Sequence, residues 1–272
     1  MPSAEKTVQY IPFATFSPLV YFYSISATVA IKLTTLMMKR ILMAAAIFFC
    51  ATTFSFAQEQ AAEANPIVLP MFGNKPKTEE QQKKDEKFLT SCDKSFASRQ
   101  EASKFFVERG WEYLNEGQVD TAMYRFNLAW LLNPDNKDTY WAFGLVTSAQ
   151  GQNAQAIDLY EKALHYDPKN SVLLSDLSSS YLNLYKEKSK RKTLKKAIRY
   201  IDQSLAVDSA NAFALYNLSK VKFYQKKYAD AWDYLHKSRE INMNQIDYAY
   251  IMELVAQMPD PKGFFRSETQ PQ

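Results

Sequence analysis

Two stretches of this chain match each other at a distance of 34 residues. Ala122, Phe126, Ala129 and Pro134 recur as Ala156, Tyr160, Ala163 and Pro168. Phe106, Gly110, Tyr113 and Gly117 recur as Tyr140, Gly144, Thr147 and Gly151, where only Thr147 breaks chemical type. A fixed period of this size constrains the fold strongly, because each unit must bury its apolar face on the next copy. Spacings of three and four place each set on one face of a helix. Gly117 and Gly151 then mark the turn between two helices, where a positive φ costs glycine nothing. Pro134 and Pro168 stop the second helix before the next unit starts. Gly110 and Gly144 sit where the two helices of a pair approach closely, facing Ala122 and Ala156.

A third unit spans 171–211. Leu174, Ser178 and Tyr181 fit its first helix, and Ala197, Ile201 and Ser204 its second. Strict periodicity would put the alanine at Lys190, so the unit carries seven extra residues near Lys186–Thr193. Either the turn is longer, or both helices extend as an arm. A fourth unit, 212–245, keeps Leu215, Ser219, Tyr228, Ala231, Leu235 and Ser238, while Lys222 and Met243 replace an aromatic and a proline. Tyr248, Ile251, Met252, Leu254 and Val255 then predict a capping helix over 246–258, followed by a loose tail at 259–272.

At these residues the sequence resembles the tetratricopeptide-repeat (TPR) family, over 103–245. The resemblance implies an all-α, right-handed superhelix of about four stacked antiparallel hairpins plus the cap, units 103–136, 137–170, 171–211 and 212–245 within a domain at 98–258. It also implies a non-enzymatic protein-binding scaffold without a cofactor, whose first helices line a concave groove. The inward positions here would be Val107, Trp111, Trp141, Leu145, Ser175, Ser179, Tyr216 and Lys220. Some family members grip a terminal carboxylate with Lys, Arg and Asn. This chain departs from that set, offering only Lys220 with Asn183 and Asn217 nearby. A groove of this makeup suits an extended or helical peptide with apolar anchors.

The net charge of +4 is concentrated at one end. Residues 1–57 hold Lys6, Lys32, Lys39 and Arg40 against Glu5. The remainder is nearly neutral and lacks the electrostatic footprint of a nucleic-acid binder. The local exception is a basic run of Lys186, Lys188, Lys190, Arg191, Lys192, Lys195 and Lys196. It reads as a solvated turn, or as a contact for an acidic partner or anionic lipid headgroups. His165 and His236 lack ligand-spaced companions, so no metal site is expected.

Residues 38–57 have the layout of a secretory signal peptide, with Lys39 and Arg40 before an apolar run and small residues at Ser55 and Ala57. Export to the periplasm or the extracellular space is therefore expected. Phe49 before Cys50 argues against a lipoprotein signal, and Cys92 would be left without a partner cysteine. Residues 1–37 have two readings: an over-extended start before Met38, or an anchor through the apolar segment 11–31. Residues 58–97 read as a linker with an N-terminal helix. Its polar, charged stretch has the composition of a tether, with helical signals from about Lys87. The island Ile67–Phe72 within it is either an exposed patch or a segment docked on the repeats.

Overall fold

The computed structural model describes residues 65–265. The expected signal peptide at 38–57, the apolar segment 11–31, Cys50 and the tail end at 266–272 lie outside them. The first helix, α1, is Glu79–Ser95. Four hairpins follow: α2 (Arg99–Asn115) with α3 (Val119–Leu132), α4 (Lys137–Ala149) with α5 (Asn153–Tyr166), α6 (Ser171–Lys188) with α7 (Arg191–Val207), and α8 (Ala212–Tyr224) with α9 (Tyr228–Ile241). Helix α10 (Tyr248–Gln257) closes the array. This is an all-α superhelix of stacked hairpins.

Each hairpin is closed by a small residue on its first helix against a large one on its second. A Cβ added at Gly110 would lie 2.3 Å from the Phe126 ring, and one at Gly144 would lie 2.6 Å from the Tyr160 ring. The equivalent positions in the last two units are Ser178 and Ser219, opposite Ile201 and Leu235. All four of these side chains are fully buried. Where the small residue grows from glycine to serine, its partner shrinks from aromatic to aliphatic. Ala122, Ala156, Ala197 and Ala231 hold one position through all four units, each with no exposure.

In the first, third and fourth units a second stitch ties the start of the first helix to the end of its partner. In the first unit Ser103 Oγ donates to the Ala129 carbonyl at 2.8 Å. In the third and fourth units the polarity reverses: Ser204 Oγ donates to Ser171 O, and Ser238 Oγ to Ala212 O, both at 2.7 Å. Asn136, Asn170 and Asn211 cap α4, α6 and α8 through side-chain oxygens on free helix-start amides. The turns carry φ of 76° at Gly117 and 78° at Gly151.

The seven additional residues of the third unit go into its helices. Helix α6 has 18 residues against 13 in α4, and α7 has 17 against 14 in α5. Their turn is only Ser189 and Lys190, with Ser189 at φ 50°. The basic run therefore stands on a helical arm.

Both ends differ from the sequence expectation. The charged stretch after Pro76 is helix from Glu79, not tether. Thr78 and Gln81 form a reciprocal capping box, and Glu79 and Glu80 lie in the first turn, where negative charge is favoured. The island before it is docked on α3. Asn127, fully buried, donates through Nδ2 to Ile67 O and Leu69 O, both at 2.8 Å, and accepts from Phe72 N at 3.1 Å. Met71 and Phe72 are left-handed at φ 54°, a conformation costing about 1–2 kcal/mol per residue. Their packing on the repeat core, with the Asn127 bonds, offsets that cost.

At the other end the tail is folded as far as Phe265. Asp260 pairs with the buried His236 at 2.8 Å and accepts from Lys262 N and Phe265 N. Phe265 stacks on Trp232 and His236. The inner face of α10 is Tyr250, Ile251 and Leu254, whereas Tyr248 and Met252 face out. The sequence stripe was thus rotated: Tyr250, not Tyr248, enters the core and bonds Ser219 Oγ at 2.8 Å.

Replacing Gly144 by Ala tests the hairpin contact. Helix propensity alone favours Ala by about 1 kcal/mol. The clash with an immobile Tyr160 ring should reverse the sign and lower stability by about 1–3 kcal/mol. Urea unfolding measures it, and a variant more stable than the parent would contradict the packing described.

Candidate binding groove

The first helices form the inner rim of the array. Helices α2 and α4, α4 and α6, and α6 and α8 touch one another, while the second helices make no comparable mutual contact among the described residues. The concave face is therefore built from α2, α4, α6 and α8.

Trp111 and Trp141 meet on this face edge-to-face, with ring centroids 6.1 Å apart, and Trp111 rests on Phe126 at 5.3 Å. Both indoles are half-buried, as are Leu145 and Ser179. These four of the expected groove residues reach the surface. Val107, Ser175 and Tyr216 do not, which corrects the expected lining. Val107 packs in the N-terminal cluster with Phe88 and Leu89 of α1. Ser175 has no exposure, and its carbonyl accepts from Asn217 Nδ2 of α8. Tyr216 is covered by the cap, with its hydroxyl accepting from Asp247 N and its ring edge-on to Tyr250.

Lys220 is half-buried, its ammonium 4.6 Å from the Tyr216 ring centre and 6.0 Å from that of Tyr250. Burial pushes its pKa down, against the attraction of Asp247 and Glu253. The asparagines beside it do not complete a carboxylate grip. Asn217 spends its amide on Ser175 O and Ser178 Oγ, and Asn183 Nδ2 on Asn153 Oδ1.

The residue missed from sequence is Asp176. Its Oδ2 accepts the Trp141 indole N–H at 2.8 Å. As a whole residue it is half-buried, but its carboxylate is deeply desolvated, which raises its pKa to about 6. It lies one residue past the groove position obtained by adding the repeat period to Trp141. Only the rotation of α6 against α4 reveals it. With Val172, Phe213 and Ile241 it lines a depression that reaches the ends of α7 and α9.

The basic arm divides. Lys186 pairs with Glu253 of α10 at 3.1 Å, and Lys196 donates to Tyr181 OH at 3.0 Å. Those two are occupied, which narrows the expected contact set. Lys188, Lys190, Arg191, Lys192 and Lys195 are exposed and form no ion pair among the described residues. Cys92 is buried, and burial raises its thiol pKa, as suits a packing residue. No group of three or more His, Cys, Asp and Glu side chains is placed to hold a metal among the described residues. No described helix is long and apolar enough to cross a membrane.

Asp176 makes a stability prediction. Its folded pKa lies above the unfolded value, so folding gains from its protonation at low pH. That advantage is lost as pH rises through about 6. Asp176→Asn keeps an acceptor for Trp141 and removes the buried charge. It should raise stability at pH 8 by about 1–3 kcal/mol and have little effect below pH 4. Thermal melts across pH check both the sign and the window.

No protein-family model matches the chain. A curated relative, the type IV pilus assembly protein PilF of Pseudomonas aeruginosa, is 26 % identical over 159 residues, covering 58 % of this chain. The match spans 61 % of that relative's length. Among solved structures, TTC0263, a thermophilic TPR protein of Thermus thermophilus, is 16 % identical with a TM-score of 0.48, covering 59 % of this chain and 93 % of its own. The structure of Pseudomonas aeruginosa PilF is 22 % identical with a TM-score of 0.46, covering 62 % of this chain and 79 % of its own. The 34-residue register, hairpin order and small-to-large contacts of the present chain agree with the tetratricopeptide-repeat resemblance of its sequence.

Proposed function

We propose that this tetratricopeptide-repeat array is a non-enzymatic scaffold of the cell envelope that holds a segment of a partner protein along its concave face. The observation that carries this reading is the half-exposed patch of Trp111, Trp141 and Leu145 on the inner rim. Paired indoles beside an aliphatic residue and a desolvated carboxylate have the makeup of an interface anchor. The likeness to a pilus assembly protein supports a protein partner and an envelope setting. The signal-like segment at 38–57 supports export.

Site-specific photo-crosslinking in cells tests the groove. A benzophenone amino acid at Ser179, on the inner rim, should give a discrete protein adduct. The same probe at Asp158, exposed on a second helix, should give none. Equal labelling at both sites, or no adduct at Ser179, would sink the reading.

A second reading concerns the arm, and its support is the two-residue turn that presents five exposed cations on lengthened helices. In that reading the chain is a membrane-associated accessory protein, and the arm touches an acidic partner or lipid headgroups. Changing Lys188, Lys190, Arg191, Lys192 and Lys195 to Gln should abolish co-sedimentation with phosphatidylglycerol vesicles. It should leave the melting temperature unchanged, because these side chains are exposed and unpaired. Binding by the parent should also weaken with salt. Retention by the Gln variant would remove the arm from consideration.

A further inference from the structure

We infer that the groove contains a subsite for a cationic side chain, Lys or Arg, of the bound segment, centred on Asp176 and the Trp141 indole. The inference rests on the groove reading above and adds the chemistry of what the groove selects.

Three observations carry it. The first is an uncompensated carboxylate. Asp176 Oδ2 is held by the Trp141 N–H, and among the described residues no lysine or arginine pairs with it. The cation four residues before Trp141 on α4, Lys137, is committed to Asp167 at 2.6 Å. The second is access. Asp176 is one of the residues that line the depression, and the one side-chain hydrogen bond described for its carboxylate is on Oδ2. The third is the wall chemistry. Val172 and Ile241 are each 49 % exposed, and half-buried Phe213 lines the same depression. Long cationic side chains need that combination: apolar surface for the methylene stem and a fixed anion for the head. Exposed Asp208 lies in the same depression and adds to the negative potential.

The indole N–H sets the geometry. It occupies one oxygen and leaves the other for a single charge-assisted hydrogen bond. The partner's cation replaces the water that the carboxylate has lost. A neutral or acidic side chain leaves Asp176 desolvated and unpaired.

Binding of a cation stabilises the ionised carboxylate, so it must release a proton where Asp176 is partly protonated. Affinity for a basic segment should rise with pH up to about 6 and level off above it. The groups facing Asp176 are Trp141 from α4, Tyr160 from α5 and Asp208 beyond α7. Burial raises the Tyr160 pKa further still, so it does not titrate in this range.

The test is selection from an immobilised random peptide library by the full chain, by Asp176→Asn and by Asp208→Asn. The parent should select peptides with Lys or Arg at one fixed position beside apolar residues. Asp176→Asn should bind those peptides about tenfold or more weakly and lose the preference, while Asp208→Asn should retain it. Replacing the selected Arg by citrulline should match the effect of Asp176→Asn. Peptides selected without a basic preference, or a preference that survives Asp176→Asn, overturn the subsite and leave the groove standing. Selection of no peptide by the parent overturns the groove and the subsite together. Melting curves of both variants establish that each is folded at the pH of selection.

Discussion

Each hairpin closes on one contact between a small residue of its first helix and a large residue of its second. Gly110 and Gly144 let the Phe126 and Tyr160 rings approach the helix backbone closely. That approach fixes the spacing of the pair and so the direction in which the next hairpin is laid down. In the third and fourth units the same space is divided differently, with serine against isoleucine or leucine. The total volume is held roughly constant while its division changes, as cores tolerate when patterning is kept. Serine adds a hydroxyl that must be satisfied in a dry site. Ser178 Oγ donates to Ser175 O, and Ser219 Oγ to Ala231 O. The exchange is therefore complete in both volume and hydrogen bonding.

The ends of the array need other solutions, because a terminal hairpin has no neighbour. At the C-terminal end α10 covers Tyr216 and Leu235, and the chain then turns back so that Phe265 covers Trp232. The buried His236–Asp260 pair secures this return. Backbone amides of residues 262 and 265 satisfy the same carboxylate, and together the hydrogen bonds hold Asp260 below the usual carboxylate range despite its burial. At the N-terminal end the docked segment does comparable work, with one buried asparagine supplying the hydrogen bonds that a strand or helix neighbour would supply. Both closures use irregular backbone fixed by one polar side chain.

The repeat was legible because helix–helix contact imposes residue size, and size is written directly in the sequence. The groove was legible only in part. Adding the period to Trp141 gives Ser175, yet that residue is under α8. The period transfers position along a unit but not the rotation of one first helix against the next. Here α6 is lengthened and packs closely along α8, so the solvent-facing line on α6 moves to Val172, Asp176 and Ser179. Tyr216 was lost from the groove for a different reason, the cap helix lying over it. The docked island Ile67–Phe72 could not be assigned from its residues, since its partner, Asn127, is 60 positions from Ile67 and resembles an ordinary polar helix residue. The charged start of α1 was misread because composition outweighed the Thr78 capping signal.

A carboxylate kept out of water on an otherwise aromatic face works against folding. Asparagine would accept the same indole hydrogen bond without the charge. In the proposed subsite the charge adds discrimination, since an unpaired buried anion penalises every occupant that does not bring a cation. The Trp111–Trp141 pair supplies area to any apolar segment and so little selectivity. Placed beside it, Asp176 would turn general stickiness into a choice. The two features are joined by one hydrogen bond, so any change that moves the Trp141 ring also moves the carboxylate on which the proposed subsite turns.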